Sequence, residues 1–269
     1  MTHPPRSPEQ GSSGDRAGNA PAHLRIHGLV VAYGSRTVLD IPALSLGTGI
    51  TALTGANGSG KTTLLKTLAL LIRPTTGTVE LEQDGGAPGP RTALRRHRAA
   101  VGFLPQAPEF PGHFTVRDAV TYSAWLRGIP RARRAEAVHR VVEDLNLTAA
   151  ATTPLRALSG GNRQRAHIAQ ALVHDPSVVL LDEPTTGIDI EHRIALREHL
   201  ARAGQTRCIV MSTHHTEDVE LLADRVVSLR DGQVVFDGTP EQLMARASNG
   251  TPAARSIERA LHDLGGANT

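Results

Sequence analysis

The chain has 269 residues, 39% of them hydrophobic, enough to bury a full core and near the upper end of what one domain holds. Its formal charge of +3 is mild, and its single cysteine, Cys208, excludes an intramolecular disulfide and fits a reducing compartment such as the cytoplasm. The most apolar window, Leu64 to Ile72, is nine residues long and carries Lys66, whereas a membrane span needs about 20 apolar residues, so work at a membrane requires a partner.

The first 22 residues are rich in Pro, Ser and Gly and lack the apolar run of a signal peptide, which predicts a disordered tail ahead of a domain over 23–245. From Leu24 to Leu46 two strand-like runs flank a Gly34-Ser35 turn, as in a small antiparallel sheet. Ile50 to Thr54 is a short apolar strand. A glycine-rich loop follows, and then Leu64, Leu65, Leu68, Leu71 and Ile72 recur at helical spacing until Arg73-Pro74 ends the pattern. Residues 84–98 read as a loop passing into a basic turn or helix.

Further buried strands are expected at Ala100–Leu104, Val178–Leu181, Cys208–Ser212, Val226–Leu229 and Val234–Phe236, with helical crossovers that imply a parallel sheet. Between about Glu109 and Gln170 only helices are expected, over Val116–Leu126, Arg133–Leu145 and Asn162–Val173. The arginine clusters Arg95, Arg96, Arg98 and Arg131, Arg133, Arg134 have no interleaved aromatics for base stacking. They read as solvated helix faces, and no nucleic-acid partner is expected.

The strongest chemical signal is Gly55-Ala-Asn57-Gly58-Ser59-Gly60-Lys61-Thr62, which fits G-x-x-x-x-G-K-[ST] between a strand and a helix. Glycines let backbone N–H groups curl around phosphate oxygens, and the following helix N-terminus adds positive potential there. Lys61 would supply charge to the β- and γ-phosphates of ATP, and the Thr62 hydroxyl would ligate Mg²⁺. Thr63 continues the helix start and is counted with the nucleotide-binding residues. The second half of such a site is an acid ending an apolar strand, and Ser177-Val-Val-Leu-Leu-Asp182-Glu183-Pro184 supplies two. Asp182 would serve the Mg²⁺, and Glu183 would polarise the attacking water as general base.

Leu158-Ser159-Gly160-Gly161-Asn162-Arg163-Gln164-Arg165 resembles the LSGGQ signature of ABC (ATP-binding cassette) ATPases. The resemblance covers roughly Leu24 to Leu243. By this resemblance Tyr33 is the aromatic that stacks on adenine, Gln106 the Q-loop glutamine with a catalytic and metal-binding role, Asp189 the D-loop acid, and His214 the switch histidine. Asn162 departs from the usual Gln, and His215 stands where the family often has Asp. The family pattern implies an α/β fold: a P-loop NTPase core with a mostly parallel sheet, a small N-terminal antiparallel β subdomain and an inserted α-helical subdomain over about 108–170. Residues 246–269 would form a C-terminal helical tail.

The same resemblance implies two chains, identical or homologous, that sandwich two nucleotides head to tail. Ser159, Gly160 and Gly161 would then present helix-start donors to the γ-phosphate of the facing chain. It further implies a separate transmembrane permease and a peripheral position on the inner face of the membrane. Phe110, Phe114, Tyr122 and Trp125, four of seven aromatics in the chain, follow Gln106 and form either the core of the helical insert or a groove for a helix of that permease. Phe236–Leu243 and Ser256–Leu261 are similar to endings of single-cassette subunits of type-2 ABC exporters, which favours export over import. A soluble ABC protein acting on nucleic acid or ribosomes is the alternative. It lacks support in long coiled coils or a second cassette. A subunit that holds ATP without turnover would predict damage at Glu183 or His214, and both positions carry competent residues.

Overall fold

The computed structural model describes residues 22–82 and 90–247, together with residues 257, 260, 261 and 264. The expected tail over residues 1–21, the loop over 84–89 and most of the segment 246–269 lie outside the described residues. Ala22, which the sequence assigns to the tail, is 1% exposed and packs in the core with Leu24, so the domain begins one residue earlier.

Strands β1 (His23–Tyr33) and β2 (Arg36–Leu46) meet across the Gly34-Ser35 turn, and β4 (Thr76–Glu82) pairs with the other edge of β1. The result is a three-stranded antiparallel sheet in the order β2-β1-β4. Its inward residues, among them Leu24, Ile26, Leu29, Leu39 and Ile41, are buried against helix α1 (Lys61–Leu68) and one face of the second sheet.

That second sheet has the order β5-β6-β7-β3-β8-β9. Strands β5 (Val101–Leu104), β6 (Val178–Asp182), β7 (Cys208–Ser212), β3 (Gly49–Thr54) and β8 (Arg225–Arg230) are parallel, and β9 (Gln233–Gly238) turns back antiparallel on β8. Every residue of β6 and β7 is buried, the pattern of parallel strands covered on both faces. Helix α2 (Pro90–Ala100) precedes β5, with His97 buried and its Nε2 2.7 Å from the Leu68 carbonyl that ends α1. The helices α6 (Ile190–Gly204), α7 (Thr216–Leu222) and α8 (Pro240–Ala247) follow in chain order.

Helices α3 (Val116–Leu126), α4 (Arg131–Asp144) and α5 (Gly160–Leu172) form the insert, joined through Val120, Ala124, Val138, Val142, Ile168 and Leu172. Helix α3 starts on a reciprocal cap: the Thr115 hydroxyl accepts from the Asp118 N–H at 3.1 Å, and the Asp118 carboxylate accepts from the Thr115 N–H at 3.1 Å. The described part of the C-terminal segment is helical. Its Ile257 and Ala260 are buried against Val226, Phe236 and Leu243.

Two expectations need correction. Helix α1 ends at Leu68, not at Arg73, because Leu70 takes a left-handed backbone (φ 55°) and the Leu71 N–H reaches back to the Lys66 carbonyl, so Leu71 is left 63% exposed. Strand β4 was not among the expected strands. Its alternation is carried only by the half-buried Val79 and Leu81, and its pairing with β1 supplies the order that its own sequence does not.

Candidate functional site

The parallel sheet brings the chemistry to one edge. Strands β3, β7, β6 and β5 are consecutive neighbours, and their C-terminal ends lead into the glycine loop, Thr213-His214, Asp182-Glu183 and Gln106 respectively. Such an edge is where open α/β sheets hold ligands. Ser212 is the hub: it pairs with Leu53 of β3 on one side and with Asp182 of β6 on the other. Its hydroxyl donates to Asp182 Oδ1 at 2.7 Å and accepts from the Glu183 N–H at 2.8 Å.

The loop over 55–60 closes around Lys61. Gly55 has φ 137°, and a Cβ there would lie 2.2 Å from the Leu229 carbonyl, so no other residue fits. Lys61 opens α1 at 8% exposure and donates from Nζ to the Gly55 carbonyl at 2.8 Å and the Ala56 carbonyl at 3.0 Å. Burial lowers its pKa, and the negative charges of Glu183 and Asp182 oppose that shift. Asn57 and Gly58 are exposed at the loop tip, Ser59 and Gly60 are buried, and Thr62 and Thr63 are half-buried on the first turn of α1.

Two buried oxygens here have no protein partner, Ser59 Oγ and Asp182 Oδ2. Unpaired buried polar atoms are rare and call for an explanation. Hard oxygen donors beside a lysine and a glycine cradle suit a phosphate chain with Mg²⁺, which keeps much of its coordination from water and phosphate. Among the described residues no cluster of three or more His, Cys, Asp or Glu side chains could hold a metal alone. Asp182 Oδ2, buried and unpaired, and Thr62, on the first turn of α1, have the oxygen chemistry for an ion shared with phosphate oxygens.

Glu183 is held in a left-handed backbone (φ 52°), an unfavourable conformation for a residue with a side chain. Its Oε2 accepts from the Thr186 hydroxyl at 3.1 Å and stands 3.5 Å from His214 Nδ1. His214 is half-exposed, and its ring packs on His215 with centroids 4.1 Å apart. Burial and the neighbouring His214 ring hold the His215 pKa below its ordinary value.

A second group forms around the start of α5. Ser159 caps that helix, its hydroxyl accepting from the Asn162 N–H at 3.3 Å. A Cβ on Gly160 would stand 3.2 Å from the Gly187 carbonyl, and one on Gly161 would stand 2.6 Å from the His192 ring. His192 in turn approaches Asp189 Oδ1 at 2.6 Å, and Asp189 caps α6 by accepting from the His192 N–H at 3.0 Å. Those bonds lower the Asp189 pKa, the backbone N–H first. Asn162, the departure from the signature, turns its Oδ1 back onto Arg165 at 2.5 Å, and Arg165 also donates to the Leu145 carbonyl. The two groups are linked by Gln164, whose Nε2 donates to the Pro184 carbonyl at 3.1 Å.

The structure thus gathers Lys61, Asp182, Glu183 and His214 into one cluster, and Ser159, Gly160, Gly161 and Asp189 into another. Gln106 is exposed two residues beyond β5, and Tyr33 ends β1 at 55% exposure. Among the described residues no hydrogen bond or ion pair ties either of them to the two clusters. Sequence reasoning missed Ser212, whose only visible signal was its place beside Asp182 and Glu183 once strands β6 and β7 are paired.

The aromatic segment divides between core and surface. Phe110 and Phe114 pack edge-on at 5.4 Å against each other and against the helical core. Tyr122 and Trp125, 42% and 55% exposed, continue the cluster at the surface.

Fold and loop together define a class: an α/β protein that binds nucleoside phosphates at a strand, glycine loop and helix. The family is narrower. Residues 44–186 match the family model described as ABC transporter. The petrobactin import ATP-binding protein FpuD of Bacillus anthracis is 35% identical over 224 residues, 80% of this chain and 81% of that protein. The Nod factor export ATP-binding protein I of Ralstonia nicotianae is 34% identical over 233 residues, 86% of this chain and 71% of that protein. A solved structure described as an ATP binding subunit of an ABC transporter superposes with a TM-score of 0.75 at 23% identity, covering 90% of this chain and 98% of that one, which speaks for the fold. The chain belongs to the ABC transporter family and is an ATP-binding subunit with the ATPase activity of such subunits.

Proposed function

We propose that this subunit hydrolyses ATP at a site built from Lys61, Thr62, Asp182, Glu183 and His214, and passes the resulting motion to a separate transmembrane permease. The observation that carries the reading is the approach of Glu183 and His214 to 3.5 Å at the edge where the buried Lys61 loop opens. Thr62 and Asp182 would hold Mg²⁺ when it is bound with ATP, where it would supply neutralisation of phosphate charge. Lys61 holds the phosphate chain, Thr62 and Asp182 orient the ion, Glu183 takes the proton of the attacking water, and His214 fixes that carboxylate and the γ-phosphate. Tyr33 stacks on the base, and Gln106 senses the ion from the segment that leads into the helical insert.

Ser159, Gly160, Gly161 and Asp189 belong to the other half of the machine. Helix α5 opens with free donors at its N-terminus, which attract a γ-phosphate, and a second ATP-binding chain in head-to-tail contact supplies it. In this reading Tyr122 and Trp125, exposed and backed by Phe110 and Phe114, are the surface for the permease, and the subunit works on the inner face of the membrane through that partner. No helix among the described residues is long and apolar enough to cross a membrane. Relatives named for import and for export differ by one percentage point of identity, so export as the direction rests on the likeness of the Phe236–Leu243 and Ser256–Leu261 segments to exporter endings.

The test is ATPase turnover of the wild-type chain and Glu183→Gln, with size-exclusion chromatography of the variant with and without ATP. Turnover should fall at least about a hundredfold and the variant should elute as an ATP-dependent dimer. Wild-type turnover in Glu183→Gln would remove Glu183 as the base.

A further inference from the structure

Asp218 lies in the first turn of α7 and is 0% exposed. Its Oδ2 accepts from the Thr185 hydroxyl at 2.6 Å and from the Thr213 hydroxyl at 3.0 Å. Its Oδ1 accepts from Arg197 Nε at 2.8 Å and Nη2 at 2.6 Å, and Arg197 extends the same Nη2 to Glu217 at 3.1 Å. Thr213 Oγ1 also accepts from the His215 N–H at 3.0 Å. One buried carboxylate therefore fastens three segments: the turn after Glu183, the strand end before His214, and α6, the helix that Asp189 caps.

We infer that Asp218 is a positioning residue for hydrolysis, setting the register of Glu183 against His214 through Thr185 and Thr213. The inference rests on the assignment of Glu183 as base and His214 as its partner. Thr185 is two residues past Glu183, whose left-handed backbone needs outside support, and Thr213 is the residue before His214, whose ring is half-exposed and packs on His215, itself held by Thr213 through its N–H. Without the carboxylate, what still joins the two chain ends is the β6–β7 ladder up to Asp182 and Ser212 and the bonds of the Ser212 hydroxyl, and nothing in these reaches past Glu183 to Thr185. Catalytic geometry is strict: a displacement of about 1 Å costs on the order of a hundredfold in rate. Arg197 neutralises the carboxylate and ties its position to α6, so a shift of Asp189 at a subunit contact is felt at the Glu183–His214 pair.

Removing Asp218 alone leaves the buried Arg197 charge with only the exposed Glu217 as partner, so the informative variant is the neutral pair Asp218→Asn/Arg197→Met, alongside Thr185→Val, which deletes one hydrogen bond at constant shape, and Thr213→Val, which deletes two, the bond to Asp218 and that from the His215 N–H. Melting temperature, affinity for a fluorescent ATP analogue and the kcat and KM for ATP are measured for each, with Glu183→Gln in parallel. The expected result is a folded protein with unchanged nucleotide affinity and KM and a kcat at least about tenfold lower, because the Lys61 loop is untouched. Wild-type kcat in the folded threonine variants overturns the inference. So does a joint loss of kcat and nucleotide affinity in step with the melting temperature, which marks a purely structural clamp. If Glu183→Gln itself keeps wild-type turnover, the catalytic assignment falls, whereas a dead Glu183→Gln beside fully active clamp variants defeats the role of Asp218 alone.

Discussion

Acid should unfold this protein earlier than its ion pairs alone require, through two histidines on and beside helix α5. Burial pushes His167 down to about 4, with the positive Arg163 adding to the effect, and burial with Arg127 does the same to His174, also to about 4. His167 Nδ1 accepts from Gln170 at 3.3 Å, His174 Nε2 donates to the Val101 carbonyl at 3.2 Å, and His174 Nδ1 is buried without a protein partner. Both rings are therefore neutral in the folded chain and stay so until the pH is near 4, whereas in the unfolded chain they take up protons below 6.5. The unfolded state binds more protons across that window, so stability is present above pH 6.5 and is lost as the pH falls. At roughly 1.4 kcal/mol per pH unit, acidification to pH 5 costs about 2 kcal/mol per ring and about 4 kcal/mol for the pair. That is a large share of a typical total of about 5–15 kcal/mol. The assay is urea denaturation at pH 8 and pH 5 on the wild type and on His167→Gln/His174→Asn. The wild type should lose about 4 kcal/mol more than the variant on acidification, since every carboxylate is common to both. Equal losses would refute the claim that these rings are neutral in the fold.

Gly161→Ala should drive a methyl group into the His192 ring that steadies Asp189, costing about a hundredfold in turnover while single-chain nucleotide affinity holds; steady-state ATPase turnover and a nucleotide titration check the two parts. Phe114→Ala removes the ring that backs Tyr122 at 6.3 Å and should weaken assembly with the permease by about 2 kcal/mol, with ATP binding intact; co-purification and titration decide it. Cys208 is 0% exposed, and burial pushes its thiol up to about 12, so the native chain should resist a maleimide that labels it fully in denaturant, as mass spectrometry would read.

What the sequence makes legible follows chain locality. A phosphate loop must be strand, glycine turn and helix within a dozen residues, so Gly55 to Thr62 could be placed before any fold was known. The same holds for the start of α5, where Ser159 caps a helix whose first residues are Gly160 and Gly161. Strand β4 was hidden because its order comes from β1, 57 residues earlier in the pairing of Leu24 with Leu81. The early end of α1 was hidden because Leu71 and Ile72 keep helical spacing, and only the left-handed Leu70 breaks the ladder. Helical periodicity reports which residues are apolar, not where the backbone turns.

The assignments that sequence reasoning could not make are those where one residue serves several segments at once. Ser212 looks like the last polar residue of an apolar strand, yet it holds both Asp182 and the Glu183 backbone. Asp218 looks like an ordinary acid in the first turn of a short helix, a place where the helix dipole favours negative charge anyway. Its burial and its bonds to Thr185, Arg197 and Thr213 arise only when β6, α6 and β7 are brought side by side. A helix dipole is satisfied by an acid in water, so it does not explain a carboxylate at 0% exposure that faces three separate segments. The cost of burying that charge is offset by Arg197 and two hydroxyls. An apolar side chain could fill the same space without that cost, but it could not bond to Thr185 and Thr213 and so could not fix the spacing of the Glu183 and His214 segments.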